Sequence, residues 1–313
     1  MKAAYLFAIG GYIALLWLTG LYVTRKSRSS EAYLVASRGL SITFISVLIA
    51  GTLIGGGSIV GMAQGAYIHG ISALWFQVGV WIAMCFTSML IGKILQGKKT
   101  YSILDVVGNL YNSRTAKLAG IMQLIFSIWV VTMQIVGGGA ILSVILKGQI
   151  SVNEGMVLIT VVFTLYNVMR GFVATAYTNL IHICAIIIGI FLGGFYVIFN
   201  TGALSQMANH TFYFQPFGDL GITQALSWAY INFTLGVLAQ PVINTASSAK
   251  TIQEGKKGIM IGNLISIPVV AMAALCGIVA KYVFPDIPSL AALPALLEIV
   301  PPFVSVFFLI SMW

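Results

Sequence analysis

The chain has 313 residues, of which 59 % are hydrophobic and only 7 % charged, with a formal net charge of +9. Soluble domains carry charge on roughly a quarter of their residues, so this composition excludes a water-facing globular surface. The positive balance would suit nucleic acid, but the basic residues stand in short clusters between long apolar runs. That is the distribution of a membrane topology rather than of a binding patch.

A helix needs about 20 apolar residues to cross a bilayer. In chain order the sequence predicts such segments at 3–24, 42–68, 71–95, 118–146, 155–169, 176–199, 224–245 and 258–283, with another opening near Pro302. The first follows Lys2, as a secretory signal would, but it is too long. Arg25, Lys26 and Arg28 stand where a cleavage site would need small residues, so it reads as a retained helix. Cys85, Cys184 and Cys276 all fall inside apolar runs, where cysteine acts as a small hydrophobe.

Alternate connections carry Arg25, Lys26, Arg28 and Arg38; then Lys93, Lys98, Lys99, Arg114 and Lys117; then Arg170; then Lys250, Lys256 and Lys257. These thirteen basic residues lie on one side, against Lys2, Lys147 and Lys281 on the other. The positive-inside rule makes the first side cytoplasmic and puts the N-terminus outside.

The second segment, SITFISVLIAGTLIGGGSIVGMAQGAYI, holds Gly51, Gly55, Gly56 and Gly57 near its middle. Gly51 with Gly55, and Gly57 with Gly61, match a small-residue packing face. Three consecutive glycines nevertheless point around a helix, and each costs about 1 kcal/mol relative to alanine in a helix interior. Ser58, just after them, is of a type that caps a new half-helix. The segment is therefore expected to be interrupted. So is LSWAYINFTLGVLAQPVINTA, where Gly236 and Pro241 flank Gln240 and proline removes a backbone donor. These two segments are five spans apart and so run in opposite directions, the pattern of inverted repeats that each begin with a broken helix. Carbonyls freed at such a break must line protein or a polar cavity and suit a small hard cation. The N–H groups of the following half-helix favour an anionic group. No acid lies deep in any span; His182 is the one titratable candidate for a proton relay, and a lone histidine there is more often a packed, hydrogen-bonded residue.

At these residues the sequence resembles the sodium:solute symporter family. YLVASRGL resembles its opening motif and AGTLIGGGSIVGMAQGAYIHGISALW its first core helix and following turn. GFVATAYTNLIH resembles a segment further on, and QPVINTASSAKTIQEGKKG the signature after the sixth core helix. The resemblance implies an all-α, leucine-transporter-type fold of inverted five-helix repeats with one extra leading helix: 1–41 for that helix and its cytoplasmic loop, 42–200 for the first repeat, and 224–313 for part of the second. It further implies Na+ as coupling ion, held by the backbone carbonyls of Gly51 and Ile54, with no other cofactor. Solute contacts would come from Ser58, Gln77, Asn232 and Gln240, and more weakly from Gln134 beside Gly137, Gly138 and Gly139. For each of these polar side chains a helix–helix hydrogen bond is the plain alternative.

Two positions depart from the family pattern. The family's acid near the sodium exit path matches Asn179, and an arginine matches Thr245. The hydroxyl ligands of the same ion would come from the helix that opens at Pro302, so half of the ion site is expected within Met1–Trp313 and two further core helices beyond it. The implied function is sodium-coupled uptake of a small polar solute across the plasma membrane. A solute-sensing domain of a larger protein and a non-transporting remnant are the alternatives. No nucleophile, metal or nucleotide motif points to an enzyme. The Asn209-His210-Thr211 sequon falls in a predicted outer loop.

Overall fold

The computed structural model describes residues 2–24, 39–95, 102–146, 149–168, 172–207, 211–237 and 239–312. Much of the charge that set the orientation (Arg25, Lys26, Arg28, Arg38, Lys98, Lys99, Lys147 and Arg170) lies outside them, as do Asn209 and His210 of the sequon.

The described residues are α-helical throughout their apolar runs, as the composition requires, because hydrocarbon leaves a backbone no partner but its own ladder. Helix α1 is Lys2–Thr24. The second expected span is split into α2, Ile42–Leu53, and α3, Gly56–His69. The third begins later than expected, since Gly70–Leu74 forms a 3-10 turn before α4, Trp75–Leu95. There follow a short α5, Ile103–Leu110, then α6, Ser113–Ile145, α7, Val152–Val168, and α8, Phe172–Thr201. A five-residue α9, Ala203–Met207, precedes the seventh expected span, which is split into α10, Gly221–Gly236, and α11, Gln240–Ser247. Helix α12 is Ile252–Val283, α13 the single turn Ala292–Ala295, and α14 Pro302–Met312.

By length and composition alone, four helical runs could each cross a membrane, or five if α10 and α11 count as one bent span. Helix α2 is shorter because the break ends it at Leu53.

The core forms where α12 packs against α2, α3, α4 and α8, while α10 lies on α4 and α14 on α8. Ile54, Ile59, Ile141, Ile186, Ile190 and Phe308 are fully buried in or beside it. Close backbone approach does much of this packing. A Cβ on Gly277 would stand 2.1 Å from the carbonyl oxygen of Ala63, and one on Gly79 2.0 Å from that of Ala229, so no larger residue fits these crossings.

Two ties hold the ends together. Leu40 N–H donates to Ser248 O (3.0 Å) and Lys250 N–H to Leu40 O (3.1 Å), which places the start of α2 beside the end of α11, as opposite directions of the two broken helices require. At the other end the stretch before α10 folds over the α3–α4 turn. Trp75 Nε1 donates to Pro216 O at 2.7 Å and its ring stacks on Phe217, while His69 pairs with Asp219 at 3.0 Å.

Candidate functional site

The first break is the centre of the site. The α2 ladder ends with Ile54 N–H on Ala50 O (2.8 Å), and the α3 ladder resumes with Ile59 N–H on Gly55 O (3.0 Å). Between them Ile54 and Gly55 are extended, with φ −120° at both, so the carbonyls from Gly51 to Ile54 fall outside either ladder. The residue capping α3 is Gly55, without a side-chain bond, and Ser58 lies inside the first turn. The expectation of a serine cap is thus corrected: the three glycines allow the new helix to start three residues earlier.

Gln134 of α6 fills the gap. Its Oε1 accepts from Gly57 N–H at 2.6 Å, taking a donor that the sequence reading had offered to an anionic group. A Cβ on Gly57 would stand 2.7 Å from that oxygen and 3.2 Å from Gln134 Cα, and one on Gly137 3.3 Å from Gly57 Cα. The glycines therefore serve packing as well as unwinding, because α6 can reach the break only against bare backbone.

Two cavities open beside the break. The first, about 340 Å³, lies between α1, the break, α6, α7 and α8. Gly51, Gly55, Gln134, Asn179 and His182 face it, together with Trp17 and Phe163. The second, about 290 Å³, lies between α2, α6, α8 and α11, with Gln123, Ser127, Gln240 and Asn244 in its walls. Gly51 and Asn179 belong to both cavities and form the partition between them; a Cβ on Gly51 would be 2.6 Å from Asn179 Nδ2.

The second interruption separates Gly236 from Gln240, and the two helices on either side of it are bent by 41°. Pro241 sits in the first turn of α11, where its missing N–H has no partner to lose. Gln240 Oε1 accepts from Ile103 N–H at 2.8 Å and its Nε2 donates to Asn244 Oδ1 at 2.7 Å, tying the break to α5. The start of α5 also carries a capping box between Ser102 and Asp105.

Of the expected site residues, the structure gathers Gly51, Gly55, Gly56, Gln134 and Asn179 at the first cavity, and Gln240 and Pro241 at the second. Ile54 is fully buried at the break. Gln77 is buried in α4 and Asn232 in α10, and neither lines either of these two cavities. Asn232 Nδ2 donates to Trp228 O of its own helix at 2.9 Å. Gly236 ends α10, packed toward Ala83. His182 is hydrogen-bonded through Nδ1 to Tyr12 Oη, the packed arrangement that the sequence favoured over a proton relay. Trp17 Nε1 is buried with no hydrogen-bond partner among the described residues. Of the cysteines, Cys276 is buried, Cys85 half-buried and Cys184 exposed, so burial does not extend to all three.

Sequence reasoning missed the α1 wall, whose residues carry no motif. It also missed Gln123, Ser127 and Asn244, although the four-residue spacings Gln123–Ser127 and Gln240–Asn244 place each pair on one helix face.

An all-α bundle whose helices break twice, each time beside a cavity with polar side chains in its walls, defines a polytopic protein of the inverted-repeat transporter class. The sequence profile of the sodium:solute symporter family matches residues 33–298, and the chain belongs to that family. It is 23 % identical over 235 residues to the human high affinity choline transporter 1, covering 71 % of this chain and 40 % of that one. To the sodium/glucose cotransporter of Vibrio parahaemolyticus it is 24 % identical over 309 residues, covering 90 % of this chain and 55 % of that one. Its fold matches that of a Na+-coupled sialic acid symporter solved in a substrate-bound outward-open state, with a TM-score of 0.84 at 15 % identity, over 99 % of this chain and 68 % of that one. The chain thus spans about half the length of these curated relatives.

Proposed function

We propose that the chain takes part in sodium-coupled uptake of a small polar solute by alternating access, in the plasma membrane with its N-terminus outside. The observation that carries this reading is the break at Ile54–Gly55, which takes consecutive carbonyls out of both ladders beside cavities lined by uncharged polar groups. Carbonyl oxygens without partners are costly in a dry interior, and a small hard cation is the ligand that satisfies several at once. Gly51 and Ile54 are the carbonyl donors for Na+, and Asn179, on the partition, stands where the ion leaves. In α14 both serines use their hydroxyls on their own turns, Ser305 on Val300 O and Pro301 O, and Ser311 on Phe308 O. The relatives' activities, Na+ coupling among them, support this reading by family membership.

The test is thermal unfolding of the purified chain in sodium and in potassium chloride at equal ionic strength, since an ion bound only to the folded state raises its stability by linkage. Sodium is expected to give the higher Tm. Asn179→Asp, which adds a carboxylate at the partition, should widen the difference, and Ile54→Pro, which removes the bond to Ala50, should erase it. Equal Tm values in the two salts, in both the wild type and Asn179→Asp, would sink the assignment.

A further inference from the structure

We infer that the second cavity is a holding site for a neutral, polyhydroxylated solute (a sugar or polyol) between the break and the cytoplasmic ends of α2 and α11; the inference rests on the transport reading above. The cavity measures about 290 Å³, at the lower edge of the roughly 300–1,000 Å³ usual for ligand pockets, so its occupant is small.

The walls specify the chemistry. Hydroxyls come from Thr52, Ser127, Thr175 and Thr245, and side-chain amides from Gln123, Asn179, Gln240 and Asn244, while among the described residues no charged side chain and no aromatic ring lines the space. Two of the hydroxyl protons are already committed, Thr52 Oγ1 to Leu48 O at 2.9 Å and Ser127 Oγ to Gln123 O at 2.8 Å, which leaves these oxygens as acceptors, that of Ser127 with one bond from Gln123 Nε2 already in place. Gln240 uses one lone pair on Ile103 and one N–H on Asn244, keeping one more of each. Asn244 accepts that bond and retains its own N–H groups as donors. Acceptors on α2 and α6 thus face donors on α11, across a space that Asn179 closes from α8. A hydroxyl both donates and accepts, so a solute bearing several of them satisfies such mixed walls without leaving any group unpaired.

Charged solutes fit less well. An anion meets no cationic side chain among the described residues that line this cavity, and one first-turn N–H of α3, that of Gly57, already serves Gln134. A quaternary ammonium finds neither a carboxylate nor the aromatic faces that hold such cations. Either would exchange its hydration for neutral dipoles alone. Because Gly51 and Asn179 form the partition between the two cavities, a solute leaving the break enters this space when that partition opens.

Thermal unfolding of the full chain in sodium chloride tests the proposal, with D-glucose, myo-inositol, choline and N-acetylneuraminate as separate probes. D-glucose or myo-inositol is expected to raise the Tm saturably. Asn244→Leu, and independently Gln123→Leu on the opposite wall, should weaken the apparent affinity at least tenfold while the sodium-over-potassium difference persists. The proposal is overturned if neither neutral probe shifts the Tm, if only choline or N-acetylneuraminate does, or if the neutral probes act equally on the wild type and both variants. Absence of a sodium effect in the wild type would instead count against the transport reading, and the probe series would still decide the solute class.

Discussion

At the first break, bare backbone from α3 and α6 meets at Gly57 and Gly137, and one glutamine bond closes the gap. At the second, a proline starts the new half-helix and Gln240 reaches out to a separate helix, α5. The glycine break depends on absence of side chains, so its geometry is set by how closely two helices approach. The proline break depends on what its own side chains hold, so its geometry is set by partners that can be exchanged. Ile54 is fully buried at the first, between half-buried glycines, whereas at the second Gly236, Val237, Ala239 and Gln240 are half-buried and Pro241 is exposed. Rigid packing suits an ion site, and an exchangeable tie suits a part that moves.

The sharpest way to break this comparison is Gly57→Val. Its Cβ would collide with Gln134, whose backbone cannot yield without moving α6. A loss of about 1–3 kcal/mol is expected, in the range of overpacked cores, measured by thermal unfolding, together with loss of the sodium effect. A variant as stable as the wild type would show that α6 does not fix the break. Next comes Gln240→Ala, which leaves Ile103 N–H without its acceptor at a cost of about 1 kcal/mol. Faster amide exchange over 103–110, with the first break unaffected, would confirm that the second is held from outside. Pro241→Ala should matter least, by less than about 1 kcal/mol, since proline at this position mainly restricts the unfolded chain. A larger loss would mean that the ring, not Gln240, maintains the bend.

Every apolar segment and both interruptions were legible in the sequence, because hydrocarbon enforces long apolar runs and Gly55–Gly57 and Pro241 conflict openly with them. The start of α4 was misplaced because Gly70, at φ +65°, begins a 3-10 turn that hydropathy does not register. Site residues were harder. Gln134 and Asn179 could be named from the neighbouring glycines and from the family pattern, yet nothing local says that Gln134 binds Gly57, 77 residues away. Gln77 and Asn232 looked equally suitable, but an amide on a helix can turn to its own carbonyls, as Asn232 does with Trp228 O. Polar identity is written in the sequence; the direction a side chain takes is decided by packing between distant helices.

One bond carries a consequence for how the molecule is made. Tyr12 and His182, which join α1 to α8 at the wall of the first cavity, are 170 residues apart. At synthesis rates of about 5–20 residues per second, α1 waits on the order of ten seconds or more for its partner. Its outward faces at Phe7, Leu15 and Leu18 are apolar and exposed, so it can rest in lipid meanwhile. The cavity is therefore a late product of assembly, closed when the sixth apolar segment arrives beside the first. A lesion that delays α8 would leave the earlier helices inserted and the chamber without a wall.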